Sequence, residues 1–379
     1  MNVIDLFAGV GGLSLGFIQN GFTVTKAVEF DAQIAQTFKN NHPNVKMIVD
    51  DIKNIDNSDN FSESEADIIL GGCPCQGFST AGARIRNGFI DDPRNYLFKH
   101  YVNIVKMVKP KLFIMENVKG MMTMQNGIIF DEILNIFSDK SLMDGTKYHV
   151  YHRVLKGGEV GIPQKRERLF IIGVRVNAVD FETVFQETIT RIKKKNQHFF
   201  DTVTVQEAIG NMPSPTKTGE IKNPAPITTY QKYLATKNHK LLNHLKTAHS
   251  PRAIERMQKI NNGENFTALD EKINSVHSGA YGRLCWQELA PTITTRFDTP
   301  AGGRFIHPEE DRTLTPREAA RIQSFPDDFV FYGNKTSICK QIGNAVPPKM
   351  SYFWAIFAQI ILDSSIKYER NSTRKAESA

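Results

Sequence analysis

The sequence has few cysteines and no long hydrophobic run, and both shortages exclude whole classes of protein. The four cysteines lie at positions 73, 75, 285 and 339 of 379 residues, which is too scattered for a disulfide framework. A reducing cytoplasm is therefore the expected compartment. The longest apolar stretch, 353–362, is much shorter than the roughly 20 residues of a membrane-spanning helix, so no membrane partner is expected. The first residues lack a basic leader and include Asp5, which predicts no secretory signal.

Positive charge is plentiful and unevenly distributed. The whole chain has a formal net charge of +7, yet residues 191–260 contain thirteen Lys and Arg against four Asp and Glu. A basic block of this kind is typical of a region that binds a polyanion, although a solvated surface would have the same composition. Its most concentrated part is the run Lys193, Lys194 and Lys195. We expect this run to lie along phosphates, with a solvated linker as the alternative.

Strand-like and helix-like segments alternate through the first half of the chain. Apolar runs at 2–7, 23–30, 45–49, 68–70 and 112–115 are typical of strands, and 96–108 has the spacing of an amphipathic helix. This alternation predicts an α/β fold with a doubly wound, mostly parallel sheet. Segments 149–155 and 169–174 are expected to form an antiparallel edge.

The regular pattern is lost after about residue 180, where prolines mark loop-rich structure. We therefore expect a sheet domain at 1–180 and a smaller, irregular domain at 181–334. The segment 335–379 is expected to return to the first domain, with a last helix at 350–362 and a polar tail.

The turn that contains Cys75 follows the fourth predicted strand. The apolar run ends at two glycines, and Pro74, Cys75 and Gln76 come directly after them. Open α/β sheets place their active sites at the carboxyl ends of strands, and a thiolate there is a nucleophile. A lone cysteine is more often a small buried hydrophobe. The spacing to Cys73 is too tight for the common zinc and redox motifs, and no metal is expected.

A glycine turn and two acids outline a nucleotide-like pocket. The turn DLFAGVGG at 5–12 contains Gly9 and Gly11 and lets backbone approach a ligand at a helix N-terminus. Glu29 closes the second strand, where a carboxylate can accept from both ribose hydroxyls. Asp51 follows the third strand and could accept from an adenine amino group. Each acid alone is typical of a surface, but together they predict an adenosine site.

Two further charged features follow along the chain. Glu116 ends the fifth strand, where partial burial would raise the pKa of its carboxyl and allow it to hold a proton. The sequence QKRER at 164–168 lies between the two edge strands and could direct guanidinium groups into the same cleft. Without further context, a generic charged hairpin loop explains it equally well.

These segments, in this order, resemble the DNA (cytosine-5)-methyltransferases over nearly the whole chain. The matching segments are DLFAGVGG at 5–12, Glu29, Asp51-Ile52, GCPCQGFS at 72–79, ENV at 116–118, QKRER at 164–168, PTIT at 291–294 and GNAVPP at 343–348. The basic block falls in the family's variable target-recognition region. The resemblance implies the methyltransferase fold, S-adenosylmethionine as methyl donor, and a smaller target-recognition domain.

The family's chemistry gives roles to the central residues. The resemblance implies that the Cys75 thiolate adds to carbon 6 of cytosine while Glu116 donates a proton or hydrogen bond to ring nitrogen 3. It implies that Arg168 contacts the flipped base and that Arg166 supports the pocket or a phosphate. Because a stacked base hides carbon 6, the target nucleotide must leave the duplex.

The same resemblance assigns the remaining positions. Phe7 and Phe30 are candidates to cover the adenine faces, and Asn344 matches the motif at the cofactor's amino-acid end. Gly9, Gly11, Glu29, Asp51, Ile52 and Pro74 complete the implied cofactor site. Thr294 matches a position near the target nucleotide's backbone, and Gln76 and Ser79 are assigned to DNA.

The motifs also bear on four other functions. An adenine-N6 or cytosine-N4 methyltransferase would have an Asp/Asn-Pro-Pro-aromatic motif where this chain has Pro74-Cys75-Gln76. A nicotinamide dehydrogenase would have a Gly-x-Gly-x-x-Gly turn, and a non-catalytic binding module would not need the nucleophile, acid and arginine together. A tRNA-methylating relative stays open, although the long segment between Arg168 and PTIT favours duplex DNA. The expected setting is a restriction–modification system with a cognate endonuclease, and the expected state is a monomer.

Overall fold

A seven-stranded sheet forms the centre of the protein. The computed structural model describes residues 1–74, 96–175, 178–271, 273 and 279–377. The strands of the sheet are β1 (Asn2–Leu6), β2 (Thr23–Glu29), β3 (Lys46–Val49), β4 (Ile68–Gly71), β5 (Leu112–Val118), β6 (His149–Lys156) and β7 (Glu167–Val174). Their order is β3-β2-β1-β4-β5-β7-β6, with β7 antiparallel to both neighbours and the other pairs parallel. The predicted doubly wound, mostly parallel α/β sheet is confirmed.

Helices connect and cover the strands. They are α1 (Gly12–Gln19), α2 (Ala32–Asn41), α3 (Ile52–Ile55), α4 (Tyr96–Val108), α5 (Ile128–Ser138), α6 (Phe181–Lys195), α7 (Val205–Ile209), α8 (Thr229–Leu234), α9 (Pro251–Gln258), α10 (Pro316–Ile322), α11 (Lys335–Asn344) and α12 (Pro348–Glu377). Short 3-10 helices occupy Lys119–Gly127, Gly157–Val160, Phe266–Ala268 and Pro300–Gly302, and β8 (Ile221–Lys222) pairs with β9 (Lys240–Leu241). Within the described ranges, every helix is too short or too polar to span a bilayer.

The strands read as continuous apolar runs because helices cover both faces of the sheet. Alternate residues of a strand point to opposite faces, so Val3 and Ile68 belong to one core while Ile4 and Ile69 belong to the other. The first core is closed by α1, α6 and α12, and the second by α4 and α5. The sheet is therefore a rigid platform whose carboxyl edge can hold a site.

The part of the chain between α6 and α11 is irregular but has its own core. Val205, Leu284, Phe305 and Phe325 are buried together, and Val10 of the glycine turn joins the same cluster. This core is thus continuous with the sheet unit at the glycine turn. Short elements with wide gaps explain why the sequence shows no periodic pattern here.

The contacts of α6 move the expected boundary between the two parts. Phe185 of α6 packs against Phe353 and Trp354 of α12, and both helices cover the sheet. A boundary at 180/181 would separate α6 from the surface that it buries, so we propose a boundary after residue 195 instead. Further along, α11 packs on α2, where Thr37 donates to Gln341 at 2.8 Å.

Candidate active site

A cavity of about 610 Å³ opens at the carboxyl edge of the sheet, around β1, β2, β4 and β5. The chain runs outward from β1 to β2 on one side and from β4 to β5 on the other. The crevice between two such halves is where doubly wound sheets bind ligands. The cavity thus occupies the position that the topology favours.

The glycine turn forms one wall of the cavity and has no room for side chains at its centre. Gly11 has a φ of 90°, and a Cβ atom built on it would lie 2.5 Å from Nε2 of the buried His42. A Cβ atom on Gly12 would lie 2.2 Å from the carbonyl oxygen of Val346. No side chain caps the N-terminus of α1. In its first turn the Asp5 carboxylate accepts from the Ser14 backbone and side chain, which leaves the N–H groups of Gly12 and Leu13 as candidates to face a ligand.

Glu29 is held in place by backbone donors at the end of β2. Its two carboxylate oxygens accept from the N–H of Gly9 and from the N–H of Asp31, each at 2.9 Å. Burial raises the pKa of Glu29, and these two hydrogen bonds oppose that rise. The carboxylate is thus fixed on the cavity wall, with acceptor capacity left for a hydroxyl donor.

The other predicted cofactor residues lie around the same cavity. Asp51 and Ile52 line it at the start of α3, where Asp51 caps the helix by accepting from the Lys53 N–H at 3.1 Å. Phe7 lines it in a left-handed conformation with a φ of 56°. Phe30 is 73% exposed at the edge of the cavity, which is unusual for a large apolar side chain.

Glu116 and Arg168 form a buried ion pair on the opposite wall. Arg168 Nε lies 2.7 Å from Glu116 Oε1, and both residues line the cavity. Burial raises the pKa of Glu116, and the guanidinium groups of Arg168 and Arg166 offset this only in part. The structure thus brings the predicted acid and the predicted base-contacting arginine together.

The ends of β4 and β5 are tied to each other beside this pair. The Asn117 side chain donates to the Cys73 carbonyl at 3.1 Å, and a Cβ atom on Gly72 would lie 3.4 Å from Glu116 Oε2. Pro74 therefore lies on the same rim as Glu116. Cys75, Gln76 and Ser79 fall outside the described residues.

Arg166 connects three segments from inside the protein. It is fully buried and donates to the carbonyl oxygens of Ile293 at 3.1 Å and of Gly343 and Ala345, each at 3.0 Å. Gln164 is also fully buried: it donates to Gln323 Oε1 at 2.8 Å and accepts from the Ile293 N–H at 2.9 Å. The two side chains thus fix the segment before Thr294 against the start of β7.

Thr294 and Asn344 lie on neighbouring segments. A Cβ atom on Gly343 would lie 2.4 Å from the Thr294 carbonyl carbon, so the two backbones are in direct contact. Asn344 is exposed and lines the cavity, as predicted for a cofactor residue. Lys340, four residues earlier on α11, lines it too. The sequence prediction omitted Lys340, although its helical spacing to Asn344 was a usable signal.

The predicted DNA-binding lysines lie elsewhere. Lys193, Lys194 and Lys195 end α6, and Lys195 Nζ is 3.4 Å from Oδ1 of Asn20. Asn20 follows α1, which begins at the cavity and runs back toward the amino edge of the sheet. The lysines are thus next to the far end of α1. Their contact with DNA stays a prediction, and this position disfavours it.

The described residues contain no cluster of three or more His, Cys, Asp and Glu side chains that could hold a metal ion. The acids of the cavity are spread along its walls and engage backbone donors or arginine. Their arrangement is that of a site for an organic ligand.

Comparison with known proteins gives a consistent result. A sequence model described as C-5 cytosine-specific DNA methylase matches residues 1–361. The type II methyltransferase M.DdeI of Desulfomicrobium norvegicum is 33% identical over 407 residues, covering 98% of this chain and 93% of the relative. M1.HphI of Haemophilus parahaemolyticus is 32% identical over 374 residues, covering 98% and 88%. An E. coli prophage protein, provisionally described as a DNA modification methyltransferase, has a solved structure with a TM-score of 0.73 at 28% identity, covering 96% of this chain and 99% of that one.

Proposed function

Because the chain belongs to the C-5 cytosine-specific DNA methylase family, we propose that it methylates carbon 5 of one cytosine within a specific duplex DNA sequence. The observation that carries this proposal is the buried Glu116–Arg168 pair, which shares a cavity rim with Pro74, the residue before Cys75. An acid able to hold a proton, beside a turn that bears a thiol, is what addition to a pyrimidine ring requires.

The cavity fits S-adenosylmethionine, the methyl donor that the family implies. Glu29 is oriented to accept from ribose hydroxyls, and Asp51 and Ile52 are placed to hold the adenine. Phe30, largely exposed at the edge, can cover an adenine face. Gly12 and Leu13 at the start of α1 and the side chain of Asn344 line the cavity where the amino-acid part would bind. When bound, the cofactor supplies an activated methyl group.

The protein's own groups activate the base. The Cys75 thiolate forms a bond to carbon 6 of the flipped cytosine, and Glu116 gives a proton or hydrogen bond to ring nitrogen 3 as charge develops there. Carbon 5 thereby becomes nucleophilic enough to accept a methyl group. Loss of the carbon-5 proton then lets the bond between carbon 6 and sulfur break, which restores the aromatic ring and the free enzyme.

The remaining residues hold the base and the strand. Arg168 orients the Glu116 carboxyl through the Nε contact and is placed to reach a carbonyl oxygen of the base. Arg166 is a positioning residue, because it is fully buried and fixes the segments that carry Thr294 and Asn344. Thr294 is exposed on that segment and contacts the target nucleotide's backbone. Gln76 and Ser79 are assigned to DNA on the motif alone.

The biological setting follows from the relatives, which are type II methyltransferases. Methylation of one sequence would protect host DNA from a cognate restriction endonuclease with the same target. The enzyme acts as a monomer in the cytoplasm, where the cysteines stay reduced.

A duplex with 5-fluorocytosine at the target position tests this function. Fluorine cannot leave as a cation, so the final elimination is blocked and the protein should remain covalently attached through Cys75. We expect a denaturant-resistant adduct that depends on S-adenosylmethionine and maps to Cys75. Cys75→Ala should form none, while Cys285→Ala is the matched control and should form it normally. An absent adduct, or one that maps to Cys73, Cys285 or Cys339, would contradict the mechanism.

A further inference from the structure

Among the described residues, the cavity is lined by more acidic than basic side chains, and one of the basic side chains makes no ion pair. The carboxylates on its walls are Glu29, Asp50, Asp51 and Glu116. Among the residues that the structure describes, the cationic side chains of the cavity are those of Arg168 and Lys340. Arg168 is engaged by Glu116 at 2.7 Å, whereas Lys340 makes no hydrogen bond or ion pair with any residue that the structure describes. Within the described ranges, Lys340 is thus the cation of this cavity that is left to pair with a ligand.

Helix α11 directs Lys340 toward the ligand. Lys340 and Asn344 are exposed, while the residues beside and between them, 339 and 341–343, are buried. Residues four apart lie on one face of a helix, so both side chains belong to the face that borders the cavity. The end of this helix meets the glycine turn, because Val346 packs directly on Gly12. Lys340 lines the cavity together with Asn344 and also borders the smaller pocket between Asp31 and the start of α11, so it lies at the entrance to the cavity.

The charged groups of the cofactor would pair with different side chains of the cavity. S-adenosylmethionine carries a sulfonium, an ammonium and one carboxylate. The acids of the cavity suit the two cationic groups and the ribose hydroxyls, but the carboxylate needs a cation or N–H donors. We propose that Lys340 binds the carboxylate of the cofactor's amino-acid part. This inference rests on the proposed function, and the competing donors are the N–H groups of Gly12 and Leu13 at the start of α1.

Two ligands that differ only in the carboxylate provide the test. S-adenosylhomocysteine and its decarboxylated analogue are titrated calorimetrically into wild-type protein and into Lys340→Met. Lys340→Met should bind S-adenosylhomocysteine about tenfold more weakly, the scale of a partly exposed charged hydrogen bond, and bind the analogue with little change. Lys340→Arg, which keeps the charge, should retain most of the preference for the carboxylate.

A second cation near the cavity controls for general electrostatics. Lys53 lies 3.2 Å from the cavity acid Asp51, so Lys53→Met removes the same charge at the adenosine side. It should change the affinity for both ligands by the same factor. If Lys340→Met also affected both ligands equally, or neither, the carboxylate would be bound by α1 and the inference would be overturned. If wild-type protein bound neither ligand, the proposed function would fail and the inference with it.

Discussion

Two buried glutamate–arginine pairs in this protein have opposite consequences for the carboxyl group. In the irregular part, the two oxygens of Glu318 accept from Nη1 and Nη2 of Arg312, each at 2.8 Å, and Oε2 also accepts from the Thr315 N–H at 2.8 Å. Burial would raise the pKa of Glu318, but Arg312 outweighs it and the pKa is lowered to about 2. At the cavity, Glu116 has one ion-pair contact with Arg168, at 2.7 Å, and its pKa is raised by burial.

The difference lies in how completely each carboxylate is bonded. Glu318 is surrounded by donors, so only its ionised form fits, and it holds α10 in place through a capping box. Glu116 keeps one oxygen near Gly72 and the cavity, where a protonated form is tolerated. A fully bonded pair stabilises a fold, whereas an incompletely bonded pair leaves a proton available for chemistry. The substitutions below test this contrast.

The largest effect is expected for Glu116→Gln. Removing the transferable proton should reduce turnover by about 10²–10⁴-fold, the usual contribution of a positioned acid. The unfolding free energy should change less than in Glu318→Gln, because burial raises the pKa of Glu116 and glutamine resembles its protonated form. Single-turnover methylation and urea unfolding measure the two quantities. A variant that unfolds readily but turns over normally would reverse the assignment.

Glu318→Gln should show the opposite pattern. Arg312 would lose one of its two carboxylate partners and keep Glu310, so the protein should be destabilised by about 1–3 kcal/mol. Because the folded pKa of about 2 lies below the ordinary 4.5, the wild-type stabilisation is present above pH 4.5 and is lost as the pH falls toward 2. The variant should show a smaller acid-dependent loss, because only Glu310, whose pKa is also lowered beside Arg312, still titrates at this arginine; unfolding measured across that range would reveal the difference. Equal pH dependence in both proteins would show that the pair does not govern it.

Glu29→Gln should have an intermediate effect that is confined to the cofactor. The carboxylate is oriented by Gly9 and Asp31, so its charge should contribute about 1.5–3 kcal/mol to S-adenosylmethionine binding. The affinity for duplex DNA without cofactor should stay the same. Calorimetry with each ligand separates the two. Equal weakening of both would mean that Glu29 supports the fold rather than the ribose.

The smallest effect is expected for simultaneous substitution of Lys193, Lys194 and Lys195 by methionine. Lys195 contacts Asn20 beyond the end of α1, away from the cavity edge. We therefore expect unchanged DNA affinity and an unchanged slope of affinity against salt. If the run does lie along phosphates, as the composition suggests, the slope should flatten by roughly one unit for each lost contact.

The sequence predicts the platform and the walls of the site well, for a physical reason. Buried parallel strands are continuous apolar runs, and Glu29, Asp51 and Glu116 each come directly after or at the end of one. Strand ends in such a sheet meet at one edge, so these residues can be grouped without coordinates. The resemblance then adds their roles.

Long-range support could not be predicted in the same way. Arg166 bonds to carbonyl groups 127 and 177 residues away, and nothing local in QKRER indicates that it is buried while Arg168 borders the cavity. The Arg312–Glu318 pair spans only six residues, but nothing local in the sequence indicates that both side chains are buried. The boundary at 180/181 stays a prediction, but the packing of α6 against α12, which lies far along the chain, favours a later one.

The most direct test of the central claim is transfer of a tritiated methyl group from S-adenosylmethionine by the purified protein. Duplex DNA and tRNA are supplied in parallel, and the labelled base is identified after digestion. We expect the label in 5-methylcytosine of duplex DNA, within a single sequence context. Cys75→Ala should give no label above background. Label in tRNA, in an exocyclic amino group, or retained by Cys75→Ala would contradict it.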